Sequence, residues 1–221
     1  MTDVIVAVTV LVYVIEVLLP GPVQSLLGYA PITTLTAPFE PWRMLTTLLV
    51  HSPIRLPGQL LGITHILFIM YALVLVGRPL EGLLGPWRLL ALYLISGLGG
   101  SVAVQYAALV GILSPQTLVI GASGAVFGLF GAFFVAQRRL GGNVTSILVV
   151  LGINLVIGFA LPGIAWEAHL GGLVVGIVTG WLLLTNRGPR RARRQAVALT
   201  GVAVVLLVLA VAPYVLLNVV A

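Results

Sequence analysis

Ser123 lies between small residues in Gly121-Ala122-Ser123-Gly124, within the apolar stretch IGASGAVFGLFGAFF from Ile120 to Phe134. His169, in Ala168-His169-Leu170-Gly171-Gly172, stands at the head of another apolar run, and His65 opens a third, HILFIMYALVLVG. A serine hydroxyl becomes a nucleophile when an adjacent base takes its proton, and histidine is the most common such base. In hydrocarbon, a serine commonly bonds back to its own helix, and glycines commonly serve close helix packing. Those readings explain less well why Gly121, Ser123 and Gly124 crowd one turn, where a backbone can come close to another molecule. An ionisable side chain inside a membrane is costly and marks a functional site whose partner is to be named. For His169 that partner is Ser123.

The surrounding composition says what must position these groups. Of 221 residues, 60% are hydrophobic and 7% charged, with a mean hydropathy of +1.20. A water-soluble domain of this size cannot hide so much apolar surface, which makes the chain a polytopic all-α membrane protein. Its length allows roughly seven spans of about 20 residues, with no room for a soluble domain. Three histidines and no cysteine leave no disulfide framework and no thiolate metal site. The net charge of +6 comes from arginine alone, and the arginines cluster at the ends of apolar runs. Membrane topology accounts for them there, so a nucleic-acid partner is rejected. The first apolar run has Asp3 as its only early charge and ends at Leu19-Pro20-Gly21-Pro22 without a small-residue cleavage pattern. It is expected to be a retained span rather than a cleaved signal peptide.

In chain order, the first span is expected over about 4–20, with Glu16 as an internal carboxylate given no chemical role. A long connection, 21–64, follows; loops of such length are seldom structureless. Its Phe39-Glu40-Pro41-Trp42-Arg43-Met44-Leu45 suits an interfacial helix or loop, and His51 beyond it carries no assignment. The second span runs from near His65 to about Glu81, and the third from Gly85-Pro86-Trp87-Arg88 to about Val110. The fourth carries Ser123 and is ended by Arg138-Arg139. The fifth covers about 144–161 with Asn154 inside and Pro162-Gly163 after it, and the sixth runs from Trp166 to Asn186. Arg187, Arg190, Arg191, Arg193 and Arg194 form a basic linker to a last span over about 196–217. The linker sets topology and suits contact with anionic lipid.

A cytoplasmic N-terminus places Arg78, Arg88, Arg138, Arg139 and the five linker arginines inside, with only Arg43 and Arg55 outside. That satisfies the positive-inside rule, and the inverse topology breaks it. Spans two, four and six then run in one direction. His65, Ser123 and His169 fall in the first turns of those spans, at one depth towards the extracytoplasmic side.

With these residues in place, the chain resembles the rhomboid family of intramembrane serine proteases from about Trp42 to Gly180. The resemblance is carried by Trp42-Arg43, His65-Ile66-Leu67-Phe68, Glu81 with Gly85, Gly121-Ala122-Ser123-Gly124 for G-x-S-G, and Ala168-His169 with Gly172 and Gly176 for A-H-x-x-G-x-x-x-G. It implies a rhomboid-like bundle of about seven helices in the bacterial six-plus-one form. A catalytic core over 1–186 would be followed at 187–221 by the linker and an added helix. It implies a Ser-His dyad with Ser123 as nucleophile and His169 as general base and then acid. Phe127, one turn below Ser123, corresponds to an aromatic, typically Tyr, packed on the catalytic His; as Phe it lacks the hydroxyl. Glu167 is expected in the outer loop, on a different face from His169. An oxyanion site would draw on His65, the Ser123 backbone N–H and Gly121. The family's asparagine four residues after that histidine is here Ile69, which removes one side-chain donor.

The resemblance further implies transmembrane protein substrates met in the lipid bilayer, in a multi-pass protein of the cell membrane, with neither metal nor organic cofactor. Trp42-Arg43 admits two readings, an interface anchor or a brace for the first loop. A pseudoprotease that binds membrane helices without cutting them is the alternative: Ser123 and His169 argue against it and Ile69 for it. A small-solute transporter would need repeated halves with broken helices, and no such repeat is present.

Overall fold

The computed structural model of the chain describes residues 1–19, 21–51, 61–160, 163–185 and 191–220. Pro20, Arg55, Pro162, Asn186, Arg187 and Arg190 lie outside the described residues, as does the boundary between 1–186 and 187–221. The described chain is helical: α1 (Thr2–Leu18), α2 (Pro22–Leu27), α3 (Ile32–Leu35), α4 (Arg43–Thr46), α5 (Leu61–Leu84), α6 (Pro86–Leu109), α7 (Ser123–Arg139), α8 (Thr145–Ala160), α9 (Trp166–Thr185) and α10 (Ala192–Val215). A 3-10 turn, Thr47–Leu49, follows α4, and Leu216–Val220 continues α10 as a π-helix. Many of these helices are rich in Val and Ile, which helices tolerate poorly in water. In a bilayer the helix is imposed because every backbone N–H and C=O must be satisfied within its own segment.

Among the described residues, four helices are long and apolar enough to cross a membrane: Ile63–Leu84, Pro86–Leu109, Trp166–Thr185 and Ala192–Val220. The other expected spans, α1, α7 and α8, have 17, 17 and 16 residues. At 1.5 Å per residue they rise about 25 Å, slightly under the usual hydrocarbon thickness. For α7 the reason is its place in the centre, where protein rather than lipid surrounds it: Gly124 to Ala132 are all buried.

The core of the bundle is α6, α7 and α9, the most extensively packed helices. Glycines make this possible. A Cβ at Gly172 would lie 1.9 Å from the Gly124 carbonyl oxygen, and one at Gly176 would lie 2.1 Å from the Gly128 oxygen. The backbones of α7 and α9 therefore touch, and side-chain layers such as Leu73, Leu92 and Leu129 close around them. At the other end, Glu81 binds α1 to α5, accepting from the Met1 amine, from the Thr2 N–H at 2.8 Å and from the Thr2 hydroxyl at 2.7 Å.

In its described part, 21–51, the long connection is short helices pinned by side chains. Arg43 donates to Glu40 at 2.7 Å and to the carbonyls of Ser25 and Gly28, while Trp42 is half exposed. Arginine thus braces the loop, and the tryptophan is free to face its surroundings. Helix α10 is fastened to the rest by amides: Gln105 donates to the Ala210 carbonyl at 3.1 Å, Asn218 to Leu35 at 2.8 Å and Gln195 to Leu183 at 3.0 Å. Arg88 in turn donates to Gln195 at 2.7 Å.

Candidate active site

Ser123 is the first residue of α7, and the turn before it needs glycine. Gly121 has φ +113°, a backbone that other residues rarely adopt, and its N–H donates to the Thr47 carbonyl at 3.1 Å. The Thr47 hydroxyl donates to the Val119 carbonyl at 2.6 Å, and Val119 pairs with Tyr29 as an isolated antiparallel bridge. The first loop therefore holds the approach to the serine from one side, and α9 holds the helix from the other.

That contact between α7 and α9 brings two residues 46 apart together: His169 Nε2 and Ser123 Oγ are 2.9 Å apart. The serine remains partly exposed while His169 is buried. The Phe127 ring stacks on the His169 imidazole, with centroids 4.2 Å apart and planes 7° from parallel. His169 Nδ1 is buried with no hydrogen-bond partner among the described residues. No carboxylate bonds it among the described residues. Glu167 is in the first turn of α9 and only 8% exposed, not in an outer loop. The α9 helix starts at Trp166, early enough to carry Glu167 into the packed end of the bundle, where it forms no hydrogen bond with His169 among the described residues.

His65 lies one turn inside α5, because that helix begins at Leu61 rather than at the histidine. Its ring flanks Gly121, where a Cβ would come within 3.3 Å of Cε1. Ile69, one turn on, is buried in the hydrophobic core. Asn154 does not approach this cluster: its amide donates to the Val150 carbonyl of its own helix at 2.8 Å.

The sequence gives His51 and Glu16 no role, yet the structure puts both behind the serine turn. His51 is fully buried, its ring 5.8 Å from that of His65, and its Nε2 lies 3.5 Å from the Ala122 N–H. Glu16 is 1% exposed and accepts the His51 backbone N–H at 2.7 Å. Burial, and then the neighbouring His65, pushes the His51 pKa down to about 4, so its ring is neutral near pH 7. The short segment after the 3-10 turn carries His51 inward; its ring meets main-chain groups, which leave no mark in a sequence.

Fold and site together define a polytopic helical membrane protein with a serine and a histidine in hydrogen-bond contact at one end of the bundle. The family model for the Rhomboid domain matches residues 38–186, and the chain belongs to the rhomboid family. It is 37% identical over 151 residues to the protein named Rhomboid protease GluP of Bacillus subtilis, covering 65% of this chain and 26% of that protein. It is 33% identical over 153 residues to RHOMBOID-like protein 6, mitochondrial, of Arabidopsis thaliana, covering 66% of this chain and 44% of that one. The Putative rhomboid protease YdcA of Bacillus subtilis is 31% identical over 157 residues, covering 68% of this chain and 71% of the relative. The match thus spans less than half the length of the first two proteins.

Proposed function

We propose that this chain is an intramembrane serine endopeptidase that hydrolyses peptide bonds in or near transmembrane segments of other membrane proteins. The 2.9 Å approach of His169 Nε2 to Ser123 Oγ carries this reading. His169 takes the hydroxyl proton as Ser123 attacks the scissile carbonyl, then returns it to the leaving amine. The acyl-enzyme is released by water, which His169 activates in the same way. With His169 Nδ1 unbonded among the described residues, the stacked Phe127 ring rather than a carboxylate orients the imidazole, making the pair a dyad.

Charge on the tetrahedral oxyanion is met by the Ser123 N–H and by His65, with Gly121 leaving room for the substrate backbone. A substrate helix must unwind locally, since a helical carbonyl is hydrogen-bonded and covered; small or helix-weakening residues near the cleavage point are therefore favoured. The arginine distribution supports a cytoplasmic N-terminus and a site opening to the extracytoplasmic side of the cell membrane. Residues 1–186 form the catalytic core in this reading, and 187–221 supply a linker and an added helix.

A serine-directed fluorophosphonate or isocoumarin tests the activation directly. Peptide mass mapping is expected to find the label on Ser123 in wild type and nearly none in His169→Ala. Equal labelling of the two proteins, or a label elsewhere, removes the activated serine.

One observation favours a second reading, a rhomboid-like protein that binds helices without cleaving them: Ile69 is apolar and buried where resemblance places an asparagine donor. If the site lacks one donor, Ile69→Asn is expected to raise kcat by up to ~10²-fold with little change in KM, because the gain exists only in the transition state. The opposing cost is an amide in an apolar setting, about 1–3 kcal/mol if it finds no partner. Steady-state cleavage measured beside thermal stability separates the two. A stable variant with unchanged kcat shows that no donor is missing there.

A further inference from the structure

We propose that Glu16 and His51 are positioning residues: Glu16 pins the backbone of His51, and the His51 imidazole holds the Ala122 N–H so that the turn presents Ser123 in one orientation. This rests on reading Ser123 as the nucleophile. The relay crosses three parts of the fold. Glu16 stands in the last turn of α1, and its Oε2 accepts the His51 N–H at 2.7 Å with both residues buried. His51 follows the 3-10 turn, and its ring lies between the Leu49 carbonyl at Nδ1, 3.4 Å away, and the Ala122 N–H at Nε2, 3.5 Å away.

These two contacts require the same tautomer. A carbonyl only accepts, so Nδ1 carries the proton; the neutral ring then has a bare Nε2, the atom that faces an N–H donor. Both contacts are long, so they orient more than they bind. Thr47, from the same short segment, accepts the Gly121 N–H at 3.1 Å. Residues 47–51 thereby hold two successive amides, those of Gly121 and Ala122. The next amide is that of Ser123, which as the first residue of a helix has no intrahelical partner and remains available to an oxyanion. Among the described residues, the ionisable groups facing His51 are Glu16 from α1 and His65 from α5. The mechanism above uses neither Glu16 nor His51.

The test compares two amides at position 51. Glutamine reaches the place of Nε2 and can accept the Ala122 N–H, whereas asparagine reaches only the place of Nδ1 and keeps the Leu49 contact alone. Cleavage of a model transmembrane substrate is measured per active site, counted by covalent serine labelling, with thermal stability alongside. His51→Asn is expected to lower kcat per site by about tenfold or more with KM within about twofold, and His51→Gln to stay within about threefold of wild type. Glu16→Leu is expected to follow His51→Asn, and Glu16→Gln, which keeps an acceptor, to follow wild type. Equal kcat in the asparagine and glutamine variants, or a loss that lies wholly in the number of labelled sites, overturns the proposal.

A readout independent of cleavage is the ¹⁵N NMR spectrum of histidine-labelled protein, with His51 assigned by its absence from His51→Gln. The expected result is a protonated Nδ1 and a bare Nε2 at pH 7; the opposite tautomer or an imidazolium overturns the relay whatever the protein cleaves. If that tautomer is found, and Ala122 amide exchange quickens in His51→Asn but not in His51→Gln, the relay stands. Should Ser123→Ala then cleave as well as wild type, it is the reading of Ser123 as the nucleophile that fails.

Discussion

Ser123→Ala and His169→Ala are each expected to lower cleavage of a model transmembrane substrate by about 10⁴-fold or more, and the double variant to be scarcely worse than either. Near-equality of single and double losses is the informative result, because a nucleophile and the base that deprotonates it act as one unit. At 2.9 Å the Ser123 hydroxyl and the His169 Nε2 are in hydrogen-bond contact, and removing either partner breaks it. Neither substitution should greatly disturb the bundle: Ser123 is partly exposed at a helix start, and the α7–α9 contact is made by glycines rather than by this pair. Purified wild type and the three variants, assayed with thermal stability in the same detergent, give the answer. A stable variant that keeps most of its activity removes that residue from the reaction.

The second large effect is expected from one methyl group. In Gly172→Ala the new Cβ would stand 1.9 Å from the Gly124 carbonyl oxygen, and the helices must part until that gap reaches the 3.4 Å of ordinary contact. Overpacking of this kind costs about 1–3 kcal/mol, and here backbone meets backbone, so no side chain can swing aside. Gly172 is three residues from His169, and Gly124 is next to Ser123. Parting them moves the imidazole off the hydroxyl, and a 1 Å misplacement costs about 10²-fold in rate. Gly201→Ala in α10, where an added Cβ meets nothing within 4 Å, is the matched control and should keep activity and thermal stability. Wild-type behaviour in Gly172→Ala would show that α7 and α9 yield more easily than their backbones suggest.

Much of the architecture is legible from composition. The long apolar runs become helices because lipid offers no hydrogen-bond partner, so their number and order follow from hydropathy and from punctuation such as Gly85-Pro86. Boundaries follow less well: α5 starts at Leu61, a turn before His65, because apolar residues on either side of a histidine give no stop signal. Glu167 shows a different limit: the sixth span is expected from about Trp166, where α9 does begin, yet the carboxylate reads as loop, because sequence does not show that the first turn of α9 is buried.

Sequence alone determined the class of membrane protein, the family through the order of its motifs, and the candidate pair, because those rest on residue type and spacing. Tertiary structure alone decided distances and neighbours. Ser123 meets His169 through glycine backbones in contact across 46 residues of chain, and the closeness of two helices depends on both faces at once. His51 and Glu16 join the site through a main-chain N–H, a donor that every non-proline residue carries. No residue pattern distinguishes the N–H groups that are used, so only the fold could show that a loop histidine and the last turn of α1 stand behind the serine.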